Sequence, residues 1–213
     1  ANRRESLRLL DNQRQKVSVL AEKIAILGWG SLIWDARPDF DRYLKPWDSG
    51  GPRLPLEFSR KSTSRKNALT LVIDSDRGTK VQTLYALSKR HDPRDAVCDL
   101  RSREGTTIEN VGLINCATGE KRCRDANAKV VKVIRNWAKA KNIQVVIWTD
   151  LEVRSPFSEQ TRNEFCDAAL AHLKSLDLEG TREAVQYIVM AHEQIKTHFR
   201  RLLMKDQWFK QQI

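Results

Sequence analysis

The chain has 213 residues, of which 40% are hydrophobic and 31% charged, enough for one substantial domain or two small ones and unlike a disordered chain. No apolar run reaches the ~20 residues of a membrane span, and the start, Ala1-Asn2-Arg3-Arg4-Glu5, is not followed by the apolar core of a signal peptide. The net charge of +11 admits nucleic acid, an anionic membrane surface or an acidic small molecule as partner. The densest basic cluster, Arg60-Lys61-Ser62-Thr63-Ser64-Arg65-Lys66, has no interleaved aromatics, which argues against nucleic acid read by base stacking.

Residues 3–22 read as a helix whose stripe of Leu7, Leu10, Val17 and Leu20 is broken by Asn12 and Gln13. Ile24-Ala25-Ile26-Leu27 reads as a buried strand running into Gly28-Trp29-Gly30-Ser31. Two glycines around an aromatic allow a sharp turn, a close backbone approach to a ligand and N–H groups that converge on an anion. The plainer reading is a tight turn with Trp29 in the core. From Asp35 to Pro55 the density of Pro and Gly predicts an irregular loop, and Phe40, Tyr43 and Trp47 suggest that it folds over something.

Alternation predicts strands over 54–58 and 81–87 and an apolar strand over 68–74, with the basic cluster as a turn or loop. Asp74-Ser75-Asp76-Arg77-Gly78 is hairpin chemistry joining the last two. Asp92 as cap and Pro93 at the first position open a helix with Ala96, Val97 and Leu100 inward, ended at Arg103-Glu104-Gly105. A strand over 111–117, a turn at Thr118-Gly119-Glu120-Lys121 into a short strand, and a helix over 126–140 follow. That helix is expected to turn Val130, Val131, Val133, Ile134 and Trp137 inward. A strand over 143–148 precedes helices near 159–175, 180–193 and 194–205.

The succession of elements implies an α+β fold with a mixed or barrel-like sheet of about six strands and flanking helices. Three parts are expected: an N-terminal helix (1–22), an α+β core (23–150) and a helical extension (151–213) packed on the core. Cys98, Cys116, Cys123 and Cys166 form no CxxC pair and have no histidine at ligand spacing. They read as reduced thiols of a cytoplasmic protein, with no metal site.

Glu104 ends a helix just before a glycine, and a carboxylate near a glycine-rich anion turn would supply two halves of an acyl-transfer site. His91, His172, His192 and His198 are scattered, and His192 and His198, both in helical segments, miss the spacing of a helical metal pair. Ser31 as nucleophile lacks a placed histidine and acid. Glu57 in a strand and Asp150 after one read most simply as structural polar residues. Arg60 and Arg65 read first as members of a solvated loop.

Gly28-Trp29-Gly30-Ser31-Leu32-Ile33-Trp34 closely resembles the Gly-Tyr-Gly-Ser-Leu-Ile/Met-Trp motif of γ-glutamylcyclotransferase-like proteins, the ChaC branch being nearest. Arg103-Glu104 resembles that family's Arg-Glu pair, and the 75 residues from Trp29 to Glu104 resemble the family's interval. Phe58-Ser59-Arg60-Lys61-Ser62 and the strand after it repeat the family's order of elements. The resemblance runs over roughly residues 24–117. Two departures stand out: Trp29 replaces the family's tyrosine, and no tyrosine follows in Thr106-Thr107-Ile108-Glu109-Asn110-Val111-Gly112.

The resemblance implies an enzyme, a cofactor-independent lyase that cyclises a γ-glutamyl amide or peptide such as glutathione to 5-oxoproline. It implies Glu104 as catalytic acid/base and Gly28, Trp29, Gly30, Ser31 and Leu32 as the substrate-holding turn. Arg60 and Arg103 are expected to contact substrate. The alternatives are a non-catalytic relative binding a small ligand and a protein partner, or a basic nucleic-acid-binding domain. The C-terminal helices are expected to serve a homo-oligomer or a protein partner.

Overall fold

The computed structural model describes residues 22–154 and 161–213. The helix expected over 3–22 lies outside these apart from its last residue. In three strands the buried positions are continuous, whereas β5 (Leu84–Leu87) alternates. β1 (Ile24–Gly28), β3 (Ala68–Ile73) and β6 (Val111–Asn115) are buried at every residue. Apolar runs of this kind belong in the middle of a layered structure.

The chain order is β1, the short helices α1 (Ser31–Trp34) and α2 (Pro38–Asp41), β2 (Arg53–Ser62), β3, β4 (Thr79–Gln82), β5 (Leu84–Leu87) and α3 (Pro93–Arg103). Then come β6, β7 (Lys121–Arg122), α4 (Ala128–Ala140) and β8 (Val145–Thr149). Four helices close the chain: α5 (Arg162–Ser175), α6 (Leu178–Met190), α7 (His198–Leu203) and α8 (Gln207–Lys210). The described residues thus form an α+β fold with a mixed five-stranded sheet, ordered β5-β1-β8-β6-β7, and a second sheet ordered β3-β2-β4. β1 runs parallel to β8 and antiparallel to β5.

Eight strands replace the expected six or so, for identifiable reasons. The stretch 81–87 is two strands in two sheets. Between them Thr83 is buried, and its N–H and hydroxyl both bond the Pro52 carbonyl, which turns the chain from one sheet into the other. The hairpin expected across residues 74–78 is also corrected: β4 pairs with β2, and β3 lies on β2's other edge. The basic cluster is not all loop. β2 carries through Arg60, Lys61 and Ser62, paired with Thr70, Leu69 and Ala68, before a tight turn at Thr63–Arg65. Three consecutive polar residues, on both faces of the strand, hid this extension from an apolar pattern.

Residues 35–52 are irregular as expected, apart from α2, and they seal an edge, whereas 53–55 already belong to β2. Leu44 bridges to Ser88 and Asp48 to Tyr85, with Phe40 buried beneath. In α4, Val130, Val131, Ile134 and Ala138 face inward, but Val133 is 43% exposed. One residue before Ile134, it sits about 100° round the helix from the buried stripe.

The late helices begin with side-chain caps. Thr161 accepts from Glu164 in a capping box, and Asp177, Thr197 and Asp206 accept from Gly180, Arg200 and Phe209. His192 lies after α6, not within a helix. Phe165, Tyr187, Ile188, Phe199 and Phe209 from these helices share one apolar cluster with Leu27, Leu56, Phe58, Leu69 and Leu71 from the strands. The C-terminal segment therefore presses residues of its own against the end of β1, where the glycine turn lies.

Candidate active site

β1 stops at Gly28 because the chain must bend there. A side chain on Gly28 would run into Ile33 and Trp47. Gly30 has φ of 60°, a left-handed backbone that glycine adopts without strain. A Cβ there would overlap the Tyr187 hydroxyl. Trp29 is 7% exposed and belongs to the main apolar cluster. The two glycines thus serve packing, while Trp29, Ser31 and Leu32 line a cavity of about 430 Å³.

The opposite wall comes from the end of α3. Asp92 accepts the Arg94 N–H and fixes the helix start, and Glu104 is the residue at which the helix closes. Gly105, with φ of 56°, turns the chain away. Arg103 and Glu104 both line the cavity. Their roles differ. The Arg103 guanidinium donates to the Ser31 carbonyl at 3.1 Å and the Asp35 carbonyl at 2.8 Å, and lies 3.6 Å from the Asp35 carboxylate. It is a strut that holds the glycine turn against α3.

Glu104 has no such employment. Its Oε1 is shut off from solvent with no hydrogen-bond partner among the described residues. Burial pushes its carboxyl above the usual range, against the pull of Arg103 and then Arg65. A buried carboxyl that is unsatisfied, faces a cavity and keeps cations near is arranged to exchange a proton.

Arg60 lines the cavity too, and its guanidinium donates to the Glu152 carbonyl at 2.8 Å. Arg65 stands 3.4 Å from Glu183 and 3.9 Å from Asp35, with its guanidinium over the Tyr187 ring. The wall holds Arg37, Arg60, Lys61, Arg65, Arg103 and Arg154 against Asp35 and Glu104. Such a surplus of cations favours an anionic ligand.

Sequence reasoning missed Tyr187. It comes from α6, is nearly buried and lines the same cavity. Its position in an amphipathic run marks it as core, and nothing local ties it to Gly30. The overlap between its hydroxyl and a Cβ at position 30 makes the connection visible.

The other candidates are structural. Glu57 is buried and fully used: Oε1 accepts the Phe58 N–H at 3.0 Å and Oε2 the Phe199 N–H at 3.4 Å. Asp150 accepts from the Arg124 N–H and the Asn127 amide, so it ties loops together. The four cysteines are unpaired, and no group of three or more metal-ligating side chains occurs among the described residues. No described helix is long and apolar enough to cross a membrane. Comparison of the chain with protein-family models, curated proteins and solved structures gives no match.

Proposed function

We propose that this protein cyclises γ-glutamyl amides or peptides to 5-oxoproline with release of the amine, as its resemblance to γ-glutamylcyclotransferase-like proteins implies. The observation that supports this most is Glu104: a carboxyl whose Oε1 has no hydrogen-bond partner among the described residues, raised by burial, lining the same cavity as Trp29 and Ser31. In this reaction the nucleophile is tethered to the electrophile, so the protein mainly has to fold the substrate into reactive geometry. Glu104 in its ionised form takes a proton from the α-amine. The amine nitrogen bonds to the γ-carbonyl carbon, the amide C–N bond breaks, and Glu104 returns the proton to the leaving nitrogen. A raised carboxyl suits both halves, since it is easier to protonate than an ordinary glutamate.

The cationic wall supports binding of the substrate's carboxylate, with Arg60, like Lys61, having no carboxylate partner within 4.0 Å among the described residues and its guanidinium donating to the Glu152 carbonyl. Arg103 acts by holding the turn. The same wall equally suits a protein that binds an anionic ligand without turning it over. Incubation of the purified protein with γ-glutamyl dipeptides and γ-glutamyl amines, followed by chromatography for 5-oxoproline, separates the two. Release that is lost in Glu104→Gln supports the enzyme. Ligand binding without release by the native protein would replace it with the binding reading.

A further inference from the structure

The Tyr187 hydroxyl sits in an unusual setting. Its oxygen accepts the Leu71 N–H at 3.4 Å. The Leu71 donor is free to do this because β2 bulges opposite it. Glu57 pairs with Val72 and Arg60 with Thr70, so the ladder skips at Leu71. The Leu71 N–H is the hydrogen-bond partner found for that oxygen among the described residues, and the phenol's own proton has no acceptor among them. Tyr187 lines the cavity that also holds Glu104.

The ring has little freedom. Trp34 and Phe58 meet it edge-on at 6.2 Å, and the Arg65 guanidinium covers it at 5.1 Å. Burial, then the charge of Glu104, push the phenol up to about 12, so it stays protonated wherever Glu104 can act as base. A fixed, neutral O–H whose oxygen accepts a backbone N–H is a preorganised donor for developing negative charge.

We infer that Tyr187 is a catalytic residue that donates its hydroxyl hydrogen bond to the γ-carbonyl oxygen as attack turns that oxygen into an oxyanion. The inference rests on the γ-glutamyl cyclisation reading. As the amine–carbon bond forms, the carbonyl π pair moves onto oxygen. Tyr187 holds that charge without giving up its proton. The pair then re-forms the C=O bond, the amide C–N bond breaks, and the leaving nitrogen takes the proton from Glu104. The C-terminal helices thereby supply a reacting-centre contact from outside the 24–117 region.

The test measures 5-oxoproline release over a pH series by the native protein, Tyr187→Phe and Tyr187→3-fluorotyrosine, on the panel of γ-glutamyl dipeptides and amines. Tyr187→Phe should lose about 10²–10³ in kcat with KM changed by less than about threefold. Because fluorine acidifies the phenol, the alkaline limb of the fluorinated protein should fall at lower pH than in the native protein. A merely structural phenol would not move that limb, and this variant decides the matter if Tyr187→Phe does not fold. An active native protein with an unmoved limb, or with Tyr187→Phe within about tenfold of native kcat, overturns the assignment alone. A native protein inert on the whole panel overturns the γ-glutamyl reading and this assignment with it.

Discussion

Two glutamates in this molecule are withdrawn from water and raised above the usual carboxylate range, and burial is the first cause for both. Their surroundings are opposite. Glu57, at the middle of β2, is met by the Thr197 side chain and by the Phe58 and Phe199 N–H groups, which moor the start of α7 to the sheet. Glu104, at the end of α3, has an oxygen with no partner and a cavity in front of it. A raised carboxyl is therefore no mark of function by itself. The discriminating feature is whether the oxygens are already satisfied by the fold.

The largest expected effect separates the pair directly. Glu104→Gln should lower kcat for 5-oxoproline release by about 10²–10⁴ while leaving the unfolding midpoint unchanged or higher, because a carboxyl with a buried, unpartnered Oε1 gives way to a neutral amide. Glu57→Gln should keep kcat within about twofold and lose about 1–3 kcal/mol of stability, since its amide would turn an N–H toward a backbone N–H. Urea denaturation alongside the turnover assay reads both. The comparison collapses if the two variants exchange phenotypes.

Arg103→Met should follow in size. It removes two charge-assisted bonds to backbone carbonyls at 3.1 and 2.8 Å, at a cost of about 1.5–3 kcal/mol. It also takes away the first-ranked influence that opposes the burial of Glu104. Glu104 must be ionised to act as base, so the acid limb of kcat/KM should move to higher pH. A limb that stays in place would mean that Glu104 is not the group it reports.

The pH dependence of stability carries the same contrast. Both folded carboxyls lie above their unfolded value of 4.5. Their contribution is complete below that value and is lost as pH rises through the folded pKa, at up to about 1.4 kcal/mol per pH unit for each group. Unfolding free energy measured from pH 4 upward should therefore fall less steeply in either Gln variant than in the native chain.

How much of this was legible in the sequence differs between the two walls of the cavity. The end of α3 could be read because its signals are local: Asp92-Pro93 opens the helix and Gly105 closes it, which leaves Glu104 at the boundary. The break at Thr83 could not, because the cause is a pair of hydrogen bonds to Pro52, thirty-one residues away. Tyr187 was hidden for a related reason. Helical periodicity says which face is buried, not what that face meets. Its partner is an absent Cβ at Gly30, a contact that exists only once the chain is folded.

The smallest expected effect compares the two positive-φ glycines that flank the cavity residues. Gly30 and Gly105 have nearly the same φ, 60° and 56°. At Gly105 an added Cβ meets nothing within 4 Å. Gly105→Ala should thus cost only the left-handed backbone strain, about 1 kcal/mol, and preserve turnover. At Gly30, whose ψ of −145° lies outside the left-handed helical well, the backbone strain is larger and is joined by collision with the Tyr187 hydroxyl, so Gly30→Ala should cost more than Gly105→Ala and lower kcat as well. Thermal melts and 5-oxoproline release on the two alanine variants make the comparison. Equal behaviour of the two would show that Tyr187 yields freely to the turn, and a hydroxyl that yields freely is not a preorganised donor.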